Sequence, residues 1–192
     1  MAKKIKWSDL RPILETHSPP ALLALVKDMF DAMPDRDAFF TTRFFVESAD
    51  TQTMLEPYRK RVTEPFFPAR GGFGKLNLRD GRKAISDCRK ATRDVFGTLE
   101  LMLTYVEQGT RFTNEYGDID EPFYNSLLSM LDSFVKLINE HPRHYDHFRR
   151  RLLNLAKATH HIGWGYGDEV SDVVSQLEKR SEEDREGLMT RS

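Results

Sequence analysis

Apolar residues recur at three- and four-residue intervals along most of the 192-residue chain, and no stretch of strict alternation competes with them. That period is the period of a helix, so the pattern predicts an all-α protein of about eight helices. A first helical turn falls at about 8–16. A second helix begins after Ser18-Pro19-Pro20, where a serine can cap and proline suits the first turn, and it runs to about residue 33. Residues 35–46 carry Phe39, Phe40, Phe44 and Phe45 as a paired aromatic stripe, and another helix follows over about 50–63.

Two prolines and three glycines between Glu64 and Lys75 forbid a continuous helix there, so this segment is read as a loop. Asn77 then caps a helix reaching about Val95, Gly97 punctuates, and a helix over 98–116 is apolar on most sides, which makes it the central one. Asp120 caps the next helix, with Pro122 in its first turn and Phe123, Leu127, Leu131, Phe134 and Ile138 along one face. His141-Pro142 stops it. Helices over about 143–162 and 168–180 complete the set, joined by a loop of alternating glycines around Trp164 and Tyr166. The expected core includes Phe39, Phe44, Leu103, Tyr105, Phe123, Leu127, Phe134 and Leu152. One domain over 1–180 is expected, with a polar, disordered tail at 181–192. An irregular bundle and a stack of helical hairpins of HEAT-like type both remain open, because no repeat period is visible.

Composition narrows the function classes. No apolar run approaches the roughly 20 residues that span a bilayer, so no membrane partner is expected. Lys3, Lys4 and Lys6 are followed by Trp7-Ser8-Asp9 rather than an apolar stretch, which does not make a signal peptide. Cys88 is the single cysteine; it permits no intrachain disulfide and no thiolate metal cluster, and a reducing cytoplasmic setting is expected.

The formal net charge of −1 conceals two blocks. Residues 59–93 hold 11 Lys/Arg against 3 acids, a net of +8, whereas residues 94–140 hold 9 acids against 2 cations, a net of −7. On a helix at about 100° per residue, Arg79, Arg82, Lys83, Arg89, Lys90 and Arg93 fall within an arc of roughly 120°. With Arg70 and Lys75 from the preceding loop, they form a candidate nucleic-acid-binding stripe aimed at phosphates, while Ala84, Ile85, Cys88, Ala91 and Val95 take the opposite side. The bland alternative is a solvated face, or one neutralised by the acidic helices of the same chain.

Asp118, Asp120, Glu121 and Tyr124 make a second candidate surface, an acidic rim suited to a basic protein partner, although capping and the helix dipole explain much of it. The glycine-rich Arg70–Lys75 segment is not a phosphate-binding P-loop, since Ala69 and Leu76 stand where that motif needs glycine and Ser/Thr. His141, His144, Asp146, His147, His160 and His161 lack metal-ligand spacing, so no metal or cofactor is expected. Cys88 is read as core, and Trp164 and Tyr166 either cover a core edge or form a stacking platform.

The stretch Phe112-Thr-Asn-Glu-Tyr-Gly-Asp-Ile-Asp-Glu-Pro-Phe-Tyr-Asn-Ser126, with Ile162-Gly-Trp-Gly-Tyr166 downstream, resembles a family of small bacterial helical proteins classed as a domain of unknown function. Residues 18–30 are similar to the first helical hairpin of such proteins. The resemblance implies a helical fold and brings no catalytic residue or substrate. No nucleophile–base set or cofactor fingerprint is present, so a non-enzymatic binding or adaptor protein is the expected class. A protein–protein adaptor using residues 118–121, or an enzyme assembled from distant residues, is the alternative. The sequence leaves the oligomeric state and the identity of the partner open.

Overall fold

The computed structural model describes residues 5–33, 36, 40, 51–69, 71 and 75–189, and every regular element among them is helical. The predicted helix over 35–46, including Phe39 and Phe44, and the loop residue Arg70 lie largely or wholly outside the described residues. Two compact units divide the chain, Met1–Val46 and Glu47–Ser192.

In the first unit, α1 spans Trp7–Glu15 and α2 spans Pro19–Ala32. The α2 boundary follows its sequence signal: Ser18 Oγ accepts from Ala21 N at 3.4 Å, and the two prolines, which have no N–H to satisfy, fill the first turn. Neither helix buries a residue, and Leu23, Val26 and Met29 of α2 are exposed.

The second unit contains α3 (Thr51–Thr63), α4 (Leu78–Thr92), α5 (Val95–Tyr116), α6 (Glu121–Glu140), a 3-10 turn (Pro142–His144), α7 (Tyr145–Thr159) and α8 (Tyr166–Met189). Helix α5 packs against α3, α4, α6 and α7, and α8 closes on α6 and α7. The near-uniform apolarity of α5 explains this central place: Leu99, Leu101, Leu103, Tyr105, Val106 and Phe112 are all fully buried. Phe66, just after α3, sits against Tyr105 at a centroid distance of 5.3 Å and against Phe112 and Phe123 at 6.4 Å. The expected core residues Leu103, Tyr105, Phe123, Leu127, Phe134 and Leu152 are all buried.

Hydroxyl pairs tie α5 to its surroundings. Tyr105 Oη and Ser126 Oγ are 2.8 Å apart, Thr110 Oγ1 and Tyr166 Oη 2.7 Å, and Thr113 Oγ1 and Tyr124 Oη 2.6 Å.

Two boundaries differ from the sequence expectation. Helix α4 ends at Thr92 rather than Val95, because Arg93 adopts a left-handed conformation (φ 54°) and Asp94 caps α5, accepting from Phe96 N and Gly97 N at 3.0 Å. Gly97 therefore lies in the first turn of α5 and does not punctuate; a Cβ there would stand 2.7 Å from Leu55 Cδ2, so its smallness serves helix packing. Helix α8 continues through residues 181–189, a stretch rich in residues of good helix propensity.

Candidate nucleic-acid interface

The amphipathic phase of α4 positions the basic stripe. Gly81, Ala84, Ile85 and Cys88 are buried on the inner side, where α3 and α5 pack against this helix. Gly81 is small because Tyr105 lies there; a Cβ would meet its ring at 3.1 Å. On the outer side Arg79, Lys83, Arg89 and Lys90 are exposed and Arg82 is half-buried. Arg93 is exposed too, but it sits on the cap turn beyond the helix, with its N–H bonded to Arg89 O at 3.0 Å.

These cations differ in what they touch. Arg82 reaches across to α6, donating to Ser126 O at 2.9 Å and to Ser129 Oγ at 3.3 Å; both acceptors are neutral, so its charge is held in place without being cancelled. Lys83 donates to Asp87 Oδ2 at 2.8 Å, and Arg61 of α3 donates to the same oxygen at 2.9 Å. Burial pushes the Asp87 carboxyl up, but the hydrogen bonds and charges of Lys83 and Arg61 outweigh it and hold the group below the usual carboxylate range. Arg79, Arg89, Lys90 and Arg93 take part in none of the ion pairs found among the described residues, and neither does Lys75.

Six of the nine acids in the block that follows α4 in sequence are engaged away from its outer face. Asp94 and Asp120 cap α5 and α6. Glu100, only 8% exposed, and Glu107 both hold Arg151 of α7, at 2.8 and 2.6 Å. Arg59 and His147 stand beside Glu100 at 3.8 and 3.4 Å. Glu115 pairs with Arg111 one turn away, and Asp118 accepts from Tyr124 Oη at 2.9 Å. Asp87, on α4 itself, is the one carboxylate paired with the outer cations among the described residues.

Two adjoining clefts flank this face. One of about 640 Å³ runs between α4 and the start of α6, lined by Arg79, Arg82, Lys90 and Ser126 among others. The other, about 830 Å³, lies between α4 and the 64–77 loop, with Arg61, Pro65, Pro68, Lys75 and Asn77 in its walls; Lys83 belongs to both. Sequence reasoning counted Arg61 among the cations just before the stripe but gave the two prolines no part in a site. The signal available was only their nearness in sequence to the stripe, and it takes the pairing of α3 with α4 to bring them together.

The second sequence candidate divides. Asp118, Asp120 and Glu121 are exposed, whereas Tyr124 is buried with its hydroxyl held by Thr113 and Asp118. Tyr166 is fully buried, and burial raises its phenol, while Trp164 is 58% exposed at φ 61°. Cys88 is buried, and that burial pushes its thiol up to about 11. No group of three metal-ligating side chains gathers among the described residues, and no helix among them is long and apolar enough to cross a membrane. The chain matches no family model, no curated protein and no solved structure.

Proposed function

We propose that this protein is a non-enzymatic binding module that engages the phosphate backbone of nucleic acid through the outer face of α4. The observation that carries the reading is the set Arg79, Arg89 and Lys90, exposed along one side of a 15-residue helix and joined in no ion pair among the described residues, with Arg82 fixed by neutral partners. A row of cations at this density is what a regularly spaced phosphate chain neutralises, with release of condensed counterions. Cations contact phosphates whatever the base, so affinity should come mainly from the backbone and depend weakly on base sequence. The adaptor alternative rests on Asp118, Asp120 and Glu121 without Tyr124, which has no surface to offer.

Fluorescence anisotropy with short DNA and RNA at several salt concentrations tests this. Binding should weaken linearly in log–log coordinates with added salt, each phosphate contact contributing a slope of about −0.9 for duplex. Arg79→Glu/Arg89→Glu/Lys90→Glu should abolish it. These side chains are exposed, so the fold should survive. Absence of binding by the wild type at low salt would refute the reading.

A further inference from the structure

The cleft on the loop side of α4 has no part in holding a backbone on the helix face, yet it shares a wall with that face. Its volume of about 830 Å³ lies within the range of ligand pockets. Its walls combine apolar surface, the cations Arg61, Lys75 and Lys83, and the carboxylates Glu64 and Asp80, which accept from Ala69 N and from the Asn77 amide. The half-buried Pro68 supplies rigid apolar surface while Pro65 is buried, and the rim they belong to is closed by backbone bonds: Leu76 N donates to Pro65 O at 3.0 Å and Gly71 N to Pro68 O at 2.8 Å. Glu64 accepts from Ala69 N at 3.3 Å and is thereby tied to the same loop. Lys75 and Lys83 supply ammonium groups, and Lys83 gives Asp87 one of its three donors. Asn77 makes no helix-cap hydrogen bond; its amide donates to Asp80 Oδ2 at 2.6 Å, which keeps the amide at the cleft with its carbonyl oxygen unused by any hydrogen bond among the described residues.

Resting on the proposed backbone contact, we infer that this cleft receives one unpaired nucleotide, its planar base against Pro68 and its phosphate between Lys75 and Lys83, while the adjoining nucleotides follow the groove of Arg79, Arg82 and Lys90. The geometry favours this occupant over a duplex because a paired base must give up its pairing and stacking to enter a side cleft, whereas a single strand presents base faces and phosphates together. Lys83, common to both clefts, marks the point where the strand passes from one to the other. The ligand chemistry is a nucleoside phosphate, carried on a strand or free in solution.

The test compares a 12-nucleotide single strand, the duplex of the same sequence and a nucleoside monophosphate, each titrated against the wild type, Asn77→Trp, which fills the cleft, and Lys75→Glu. Circular dichroism and thermal melting verify that both variants are folded. The wild type should prefer the single strand to the duplex by about tenfold or more, and both variants should lose that preference; Asn77→Trp, which changes no charge, should keep duplex affinity within about twofold. Monophosphate competition lost in Asn77→Trp would support the same chemistry and mark the free nucleotide as a ligand. Equal wild-type affinity for strand and duplex, unchanged in both variants, would overturn the cleft inference and leave the α4 contact standing. No binding of any of the three by the wild type would remove the α4 reading itself.

Discussion

Asp87→Asn should move stability and nucleic-acid affinity in opposite directions. In the native chain one carboxylate oxygen holds Lys83 at 2.8 Å and Arg61 at 2.9 Å, and those cations are 64% and 39% exposed. Pairs this open to solvent are worth about 0–1 kcal/mol each, so the variant should lose about 1 kcal/mol of stability, read as a lower midpoint in urea at pH 7. The sign with pH follows from the depressed native carboxyl: its contribution is present above the unfolded carboxylate value and fades as pH falls through the lower native one. The gap between wild type and variant should therefore close in acid. Binding should strengthen, because an anion is removed from a face that meets phosphates. A unit charge about 4 Å from a phosphate in water-like surroundings is worth about 1 kcal/mol, which is about fivefold in affinity at low salt. Anisotropy at low ionic strength reads this, and the gain should shrink as salt screens the face. Unchanged or weaker binding by a folded Asp87→Asn protein would refute the claim that these cations meet a polyanion.

Gly167→Ala should destabilise by about 1–3 kcal/mol in chemical denaturation, because the added Cβ would stand 2.3 Å from the backbone carbonyl oxygen of Thr159, an atom that cannot rotate away. Phe134→Ala should cost about 3–5 kcal/mol, since the ring is fully buried and meets Phe148 edge-on at 5.4 Å; a loss below about 1 kcal/mol would contradict that packing. Cys88 should resist a thiol reagent at pH 8 until the protein is unfolded, since its thiol is buried and raised to about 11; fast native-state labelling would contradict this.

Helix type and place were legible where a single face decides them. Phe123, Leu127, Phe134 and Leu152 lie at helical spacing on their elements and are buried, and the stretch from Leu99 to Val106, apolar but for Glu100 and Thr104, lies in the central helix. Boundaries were less legible. Gly97 reads as a break in one dimension, and its reason, the approach of Leu55 from α3, exists only in three. Tyr124 and Trp164 show the same limit for surface features. Tyr124 stands in an acidic turn yet points into the core through Thr113, whereas Trp164 sits between glycines and is left outside while Tyr166 beside it is taken in. Sequence pattern places a residue on an element; which neighbour claims its hydroxyl or its ring is set by packing.

The charge blocks give the clearest case. A segment of net +8 followed by one of −7 suggests two helices lying together and cancelling each other, and α4 and α5 are indeed packed neighbours. Cancellation fails because of phase. Glu100, Thr104 and Glu107 recur at steps of four and three, so they share one face of α5, and that face meets Arg151 of α7 instead of α4. Toward α4 the packing partners are small or apolar, Gly81 against the Tyr105 ring among them. Glu100 and Glu107 are thus committed on one side of the central helix while the cations of α4 project from the other side of theirs. Neutrality of the whole chain and an uncompensated basic face coexist because helical phase, and not sequence proximity, decides which charges can meet.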